Sequence, residues 1–155
     1  MKRSFSLIAL LFALIAAPAI RAEEKSGGAG EDSDLHDSME AMNGSFRKLR
    51  RQVADPAQNE ASLALVEKLS KATKEAADDL PEIISKLPAE AQAAAKASYA
   101  DKMKELSATI EELGAALKAG KNDEAVKIVE ELRLQQEAGH REFRPKEQKK
   151  EAVSK

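Results

Sequence analysis

Apolar residues recur along the chain at α-helical spacing in four separate stretches. The first stretch, from about Asp34 to Val53, places its apolar residues at alternating intervals of four and three, and so does the third, from about Pro88 to Ala119. No stretch alternates apolar and polar residues over the length of a strand, so the pattern predicts an all-α fold. The two regular stripes are Leu35, Met39, Met42, Phe46, Leu49 and Val53 in the first stretch and Tyr99, Met103, Leu106, Ile110, Leu113 and Leu117 in the third.

Residues that start or stop helices mark both ends of the second stretch. Asp55 can cap a helix, Pro56 suits the first helical position, and Gln58 can complete a pair of caps. This helix should run to about Asp79. Residues 80–88 (LPEIISKLP) should form the connection to the third helix, with a short helical turn between the two prolines.

A glycine and an asparagine mark the turn before the fourth helix. Gly120 should end the third helix in a left-handed conformation, and Asn122 can cap the fourth, which should run to about Arg144 because Pro145 follows. Four amphipathic helices with mostly short connections predict an antiparallel up-down-up-down four-helix bundle. The inward residues of the fourth helix should be Ala125, Ile128, Val129, Leu132, Gln136, His140 and Phe143.

Residues 1–22 have the pattern of a secretory signal. Two basic residues precede an apolar run over residues 7–17, which is short for a transmembrane span. Cleavage is expected after Ala22, with Ala19 as the alternative site and an uncleaved anchor as the alternative interpretation. The sequence thus divides into a signal peptide (1–22), a flexible leader (23–33), a four-helix domain (34–144) and a charged tail (145–155).

Charge and cysteine content exclude several classes of function. Loss of residues 1–22, which carry three basic residues and no acidic ones, changes the net charge from −2 to −5, and such a surface does not favour nucleic acid. The absence of cysteine excludes disulfides, zinc–thiolate sites, iron–sulfur clusters and cofactor attachment through a C-x-x-C-H motif. An export signal without cysteine suggests a bacterial periplasmic protein. We find no nucleophile–base pair and no phosphate-binding loop, so no enzymatic site is predicted.

Counting along the helices places four chemically distinctive side chains at one height. Three of them lie about 17–21 residues from the turn at Gly120, and the fourth lies about 16 residues from the turn at Asp55. At 1.5 Å per residue, all four should lie roughly 24–32 Å from the same end of the bundle. The open end, where the chain enters the first helix and leaves the fourth, therefore collects Met39, Tyr99, Met103 and His140.

A thioether and an imidazole that converge from two helices are the kind of pair that ligates haem iron. In that arrangement Tyr99 and Met103 could flank the macrocycle, and Arg144, one turn beyond His140, could pair with a propionate. The same residue types also occur as ordinary core residues, because methionine fills gaps and an inward histidine usually makes a hydrogen bond. The haem interpretation of Met39 and the core interpretation therefore both stand at this point.

His36 is a rival ligand, since it lies three residues before Met39 and can share part of its helix face. It also lies nearer the end of the helix, between the acidic residues Asp34 and Asp37, and we expect it at the surface.

Three short segments carry a recognisable pattern: LHDSMEAMN at residues 35–43, GKNDEA at residues 120–125 and EAGHREFR at residues 137–144. They resemble the opening helix, the Gly-Lys-x-x-Glu-Ala turn and the closing His-x-x-x-Arg segment of the cytochrome b562 family. The resemblance covers roughly residues 34–144. It implies a periplasmic b-type cytochrome that holds one non-covalent haem b per chain, through Met39 and His140, and transfers one electron at a time.

The chain departs from the family pattern beside the expected haem. Two phenylalanines of the family correspond to Tyr99 and Met103, and an arginine one turn before the histidine corresponds to Gln136. One contact to a propionate is therefore not predicted for this chain.

Two other functions remain open from the sequence. One is a haem-free periplasmic bundle that binds a partner, for example as a stress adaptor, and the other is haem storage or transfer. An electron carrier would exchange electrons with redox partner proteins that the sequence does not identify. It would contact no membrane after signal cleavage, and it would be a monomer or a weak dimer.

Overall fold

The computed structural model describes residues 30–144, so the predicted signal peptide, most of the leader and the tail lie outside the described residues. Within residues 30–144 the chain forms helices and turns without a strand, which confirms the all-α class. The first helix begins one turn before its predicted start, because residues 30–33 contain no proline and extending a formed helix costs little. The helices are α1 (Gly30–Gln52), α2 (Asn59–Asp78), α3 (Glu82–Ser85), α4 (Ala89–Lys118) and α5 (Asn122–Phe143).

The four long helices pack as a helical bundle around one apolar core. Each long helix packs against the next long helix along the chain, whereas α1 and α5 contact each other only slightly. None of the helices in residues 30–144 is long and apolar enough to span a membrane. The predicted stripes supply the most deeply buried side chains, among them Leu49, Ile110, Leu113, Leu117 and Leu132.

The start of α2 differs from its prediction. Asp55 Oδ1 accepts a hydrogen bond from the Ala57 backbone N–H at 3.0 Å, and this short-range bond begins a 3-10 turn at Pro56–Gln58. The α-helix then starts at Asn59, and the side chain of Gln58 makes no capping hydrogen bond. The predicted pairing of Asp55 with Gln58 is therefore wrong, since the tighter turn uses the aspartate first.

The other predicted breaks are confirmed. The short helix α3 lies between Pro81 and Pro88 and buries Ile84. Gly120 follows α4 with φ +69°, a left-handed conformation that side-chain-bearing residues rarely adopt. The Lys121 N–H donates back to the Ala116 carbonyl at 2.9 Å, which closes the end of the helix.

Asn122 has a tertiary role instead of the predicted capping role. It is the first residue of α5, and its buried Nδ2 donates to the Val53 carbonyl and to Asn59 Oδ1, both at 2.7 Å. Asn59 Nδ2 donates in return to Asn122 Oδ1 at 3.2 Å and to the Leu117 carbonyl at 3.4 Å. The two amides thereby give hydrogen-bond donors to carbonyls at the ends of α1 and α4. An unpaired carbonyl costs more at a buried site than at an exposed helix end. The pair joins the turn after α1 to the turn before α5.

Replacing Asn122 by alanine should lower the free energy of unfolding by about 2 kcal/mol, because it removes the donor to the Val53 carbonyl and to Asn59 Oδ1. Urea unfolding followed by circular dichroism measures this change. The matched control is Gln58→Ala, which removes an exposed amide beside the same turn and should change the value by less than about 0.5 kcal/mol. Equal effects of the two substitutions would show that the buried pair contributes nothing specific.

Candidate functional site

A cleft of about 820 Å³ opens at the end of the bundle away from the Asn59–Asn122 pair. Its walls come mainly from α1, α4 and α5, and its volume lies within the roughly 300–1,000 Å³ of small-molecule and cofactor pockets. The structure brings all five residues singled out from the sequence to this one cleft. They are Met39, Tyr99, Met103, His140 and Arg144.

The α1 wall of the cleft carries the thioether of Met39 at the edge of the apolar core. Met42 and Phe46 are buried one and two turns deeper in the bundle, as predicted, whereas Met39 is only partly buried against the core. The spacing of three and four residues puts all three side chains on one face, so Met39 is the one at the level of the cleft. His36 also lines the cleft but is an exposed residue.

The α4 wall is rigid because Tyr99 is fixed at both its hydroxyl and its ring. Only 3% of this residue is exposed. Its hydroxyl donates to the Ala76 carbonyl of α2 at 2.6 Å, and its ring meets Phe143 of α5 edge to face with centroids 5.2 Å apart. Met103, one turn further along, is also buried. Both side chains belong to the core and to the wall of the cleft at the same time.

Burial, followed by the negative charge of Asp79, raises the pKa of the Tyr99 phenol from 10.0 to about 12. The phenol is therefore protonated throughout the physiological range and remains a donor to the Ala76 carbonyl.

The α5 wall carries the imidazole at its rim. His140 was expected to face inward, and the structure places it in the lining of the cleft but as an exposed residue. Partial burial, followed by the positive charge of Arg144, lowers the pKa of its imidazole. The neutral imidazole, which has a free lone pair for a metal, is thus the main form at pH 7. Gln136, one turn earlier, is partly buried and also lines the cleft.

The sequence analysis missed a polar cluster on the α4–α5 side of the cleft. Lys102 lines the cleft, and its Nζ lies 3.4 Å from Glu142 Oε2. Glu142 Oε1 accepts a hydrogen bond from Ser98 Oγ at 2.6 Å. This bond, together with Lys102, lowers the pKa of the Glu142 carboxyl. The only signal in the sequence was that Lys102 and Glu142 lie at similar distances from Gly120, on opposite sides of it.

Gln135 adds a second polar element that the sequence did not predict. Its Nε2 donates to Thr109 Oγ1 at 2.9 Å, and Oε1 is buried without a hydrogen-bond partner in the part of the chain described. In those same residues no group of three or more histidine, cysteine, aspartate and glutamate side chains could hold a bare metal ion.

The burial of Tyr99 should be visible in an alkaline titration. The chain has one tyrosine and no tryptophan, so ultraviolet absorbance of the haem-free protein reports this phenol alone. We expect tyrosinate to appear at about pH 12 instead of pH 10. Its appearance near pH 10 with the helices intact would contradict the buried hydrogen bond.

The same shift makes stability depend on pH. The unfolded chain loses the phenol proton near pH 10 and the folded chain near pH 12, so the contribution of Tyr99 is complete below pH 10 and is lost as the pH rises to 12. Tyr99→Phe should cost about 1 kcal/mol at neutral pH, and its difference from the parent should shrink over this interval. A difference that stays constant with pH would contradict the assignment.

Comparison with protein families agrees with the residues in the cleft. The family model described as cytochrome b562 matches residues 34–144, which is nearly all of the chain that the structure describes. No curated protein and no solved structure matched the chain. The match extends from the start of the α1 stripe to Arg144, and therefore includes every wall of the cleft. The chain belongs to the cytochrome b562 family, whose members are haem-binding electron carriers.

Proposed function

We propose that this protein is a periplasmic b-type cytochrome that binds one non-covalent haem b in the cleft and transfers single electrons, with Met39 and His140 as the axial ligands. The observation that carries the proposal is the cleft itself, which has a thioether on its α1 wall and an imidazole on its α5 wall. The family match supports the identity of the cofactor.

The residues of the cleft fit haem in both polarity and donor set. Most of the lining is apolar, as a macrocycle requires, and the absence of cysteine leaves non-covalent binding. Met39 would offer its sulfur and His140 a neutral imidazole nitrogen. Tyr99 and Met103 would pack against the macrocycle, and Arg144 would pair with a propionate.

Haem supplies an iron atom that takes up and releases one electron. The thioether of Met39 and the imidazole of His140 would both bind the iron, which would disfavour oxygen chemistry, and the soft thioether would favour the reduced state. The role of the protein is to hold these side chains still in both redox states. Tyr99 serves this role directly, because its hydrogen bond to the Ala76 carbonyl and its ring contact with Phe143 fix one wall.

The finer features of the architecture belong to the same proposal. We infer that the four long helices alternate in direction, which is supported by their short connections and by the Asn59–Asn122 link between two turns. We further propose export to the periplasm with cleavage near Ala22 and a haem domain over residues 34–144. The partners would be redox proteins, with basic surfaces favoured by the acidic charge of the mature chain, and the protein would be a monomer or a weak dimer.

Reconstitution with haemin tests the proposal. We expect a complex of one haem per chain with low-spin absorption spectra in both oxidation states. Met39→Ala and His140→Ala should each give a high-spin form, because each removes one strong-field ligand. If the parent chain forms no such complex, the proposed function is wrong. If both variants keep the low-spin spectrum, the ligand assignment is wrong.

His36 provides the matched control, since it also lines the cleft and is the only other histidine of the chain. His36→Gln should leave the low-spin spectra unchanged. A high-spin His36→Gln complex would transfer the ligand role from Met39 to His36.

Thermal stability separates the proposal from the haem-free partner-binding alternative. A ligand that binds only the folded state stabilises it by about 2.7 kcal/mol at one hundred times its Kd. Haemin should therefore raise the Tm of the parent chain clearly and that of His140→Ala much less. An unchanged Tm of the parent chain would favour the haem-free bundle, and rapid loss of bound haem to an acceptor protein would favour storage or transfer.

A further inference from the structure

Two cationic side chains line the cleft, one on α4 and one directly after α5. They are Lys102 and Arg144, whereas Gln136, which takes the place of an arginine in the family pattern, brings no charge. Haem carries two propionates, and a charge-assisted hydrogen bond to a cation can stabilise each of them. With Arg144 assigned to one propionate, the sequence analysis supplied no cation for the second.

Lys102 is held at the wall of the cleft by a cluster of its own. Glu142 contacts its Nζ with one carboxylate oxygen, and the other oxygen accepts the Ser98 hydroxyl bond at 2.6 Å. Since Ser98 and Lys102 lie on α4 and Glu142 on α5, the cluster spans both helices. The Lys102 side chain is 34% exposed, against 61–79% for the lysines that pair with acidic residues three or four positions away. Its position is therefore more restricted than that of the other paired lysines.

The Lys102 ammonium can bind a second acceptor while it keeps Glu142. It has three N–H donors, and at 3.4 Å the Glu142 carboxylate engages at most part of this capacity. The lowered pKa of Glu142 keeps that carboxylate ionised, so it continues to hold the Lys102 side chain at the wall of the cleft. The remaining donors are available to a carboxylate in the cleft that Lys102 lines.

We propose that Lys102 is a carboxylate-binding residue of the cleft and contacts the haem propionate that Gln136 cannot pair with. This inference rests on the proposed haem function. In the family pattern the cation for this propionate lies on the last helix, at the position of Gln136. In this chain the cation would come from Lys102 on α4 instead. Glu142 and Ser98 are then positioning residues that hold Lys102 in place.

The test compares haemin with its dimethyl ester, in which both carboxylates are blocked. The variant Lys102→Gln removes the charge and keeps much of the side-chain length, and Lys104→Gln is the matched control because Lys104 is exposed on α4 outside the cleft. Dissociation constants come from absorbance titrations of the full chain. Lys102→Gln should weaken haemin binding about tenfold and leave binding of the dimethyl ester unchanged. Lys104→Gln should change neither.

Lys102→Arg keeps the charge and should retain the preference for haemin over the ester, which separates charge from packing. Circular dichroism checks that each variant is folded. If Lys102→Gln does not fold, Lys102→Ala replaces it, and loss of its preference for haemin over the ester is the expected result. Equal weakening with haemin and ester, or no weakening with either, overturns the inference while haem binding itself stands. If the parent chain binds neither haemin nor the dimethyl ester, both the proposed function and the inference are wrong.

Discussion

The side chains of Asn59 and Asn122 exchange hydrogen bonds between the two turns at one end of the bundle, and the heights of all other residues follow from that link. Buried amides require partners, and this pair satisfies itself together with the carbonyls of Val53 and Leu117. The turn after α1 and the turn before α5 are thus held level. Because helices rise by a constant 1.5 Å per residue, residues at equal sequence distance from these turns meet at the far end. The position of the cleft therefore depends on hydrogen bonds at the opposite end of the bundle.

The far end is organised around Tyr99. This residue ties α4 to α2 through the Ala76 carbonyl and to α5 through the Phe143 ring, so three of the four long helices are fixed relative to one another. The fourth, α1, contacts α5 only slightly. The apolar stripes of α1 and α5 both reach the cleft, and α4 forms its third wall. Met39 lies on the α1 wall and His140 on the α5 wall.

Apolar spacing predicted the helices well because burial of a continuous stripe dominates their stability. Gly120 and the two prolines were predicted correctly because they act through local backbone sterics. Asn122 was misread because a buried partner outweighed a local cap. His140 was correctly assigned to a face but not to a depth, since periodicity gives direction and not exposure. Lys102 resembled any solvated lysine in a charged helix, and only Glu142 on another helix distinguishes it.

Because α1 and α5 contact each other only slightly, a metal bound by both Met39 and His140 would also cross-link two distant parts of the chain. The two residues lie about 100 residues apart in sequence, so such a metal would close a loop that contains nearly the whole folded domain. In the chain-entropy description of cross-links, closing a loop of about 100 residues restricts the unfolded chain by about 4.7 kcal/mol. In a protein without cysteine, the cofactor would then do what a disulfide does between the first and last elements of a small exported domain.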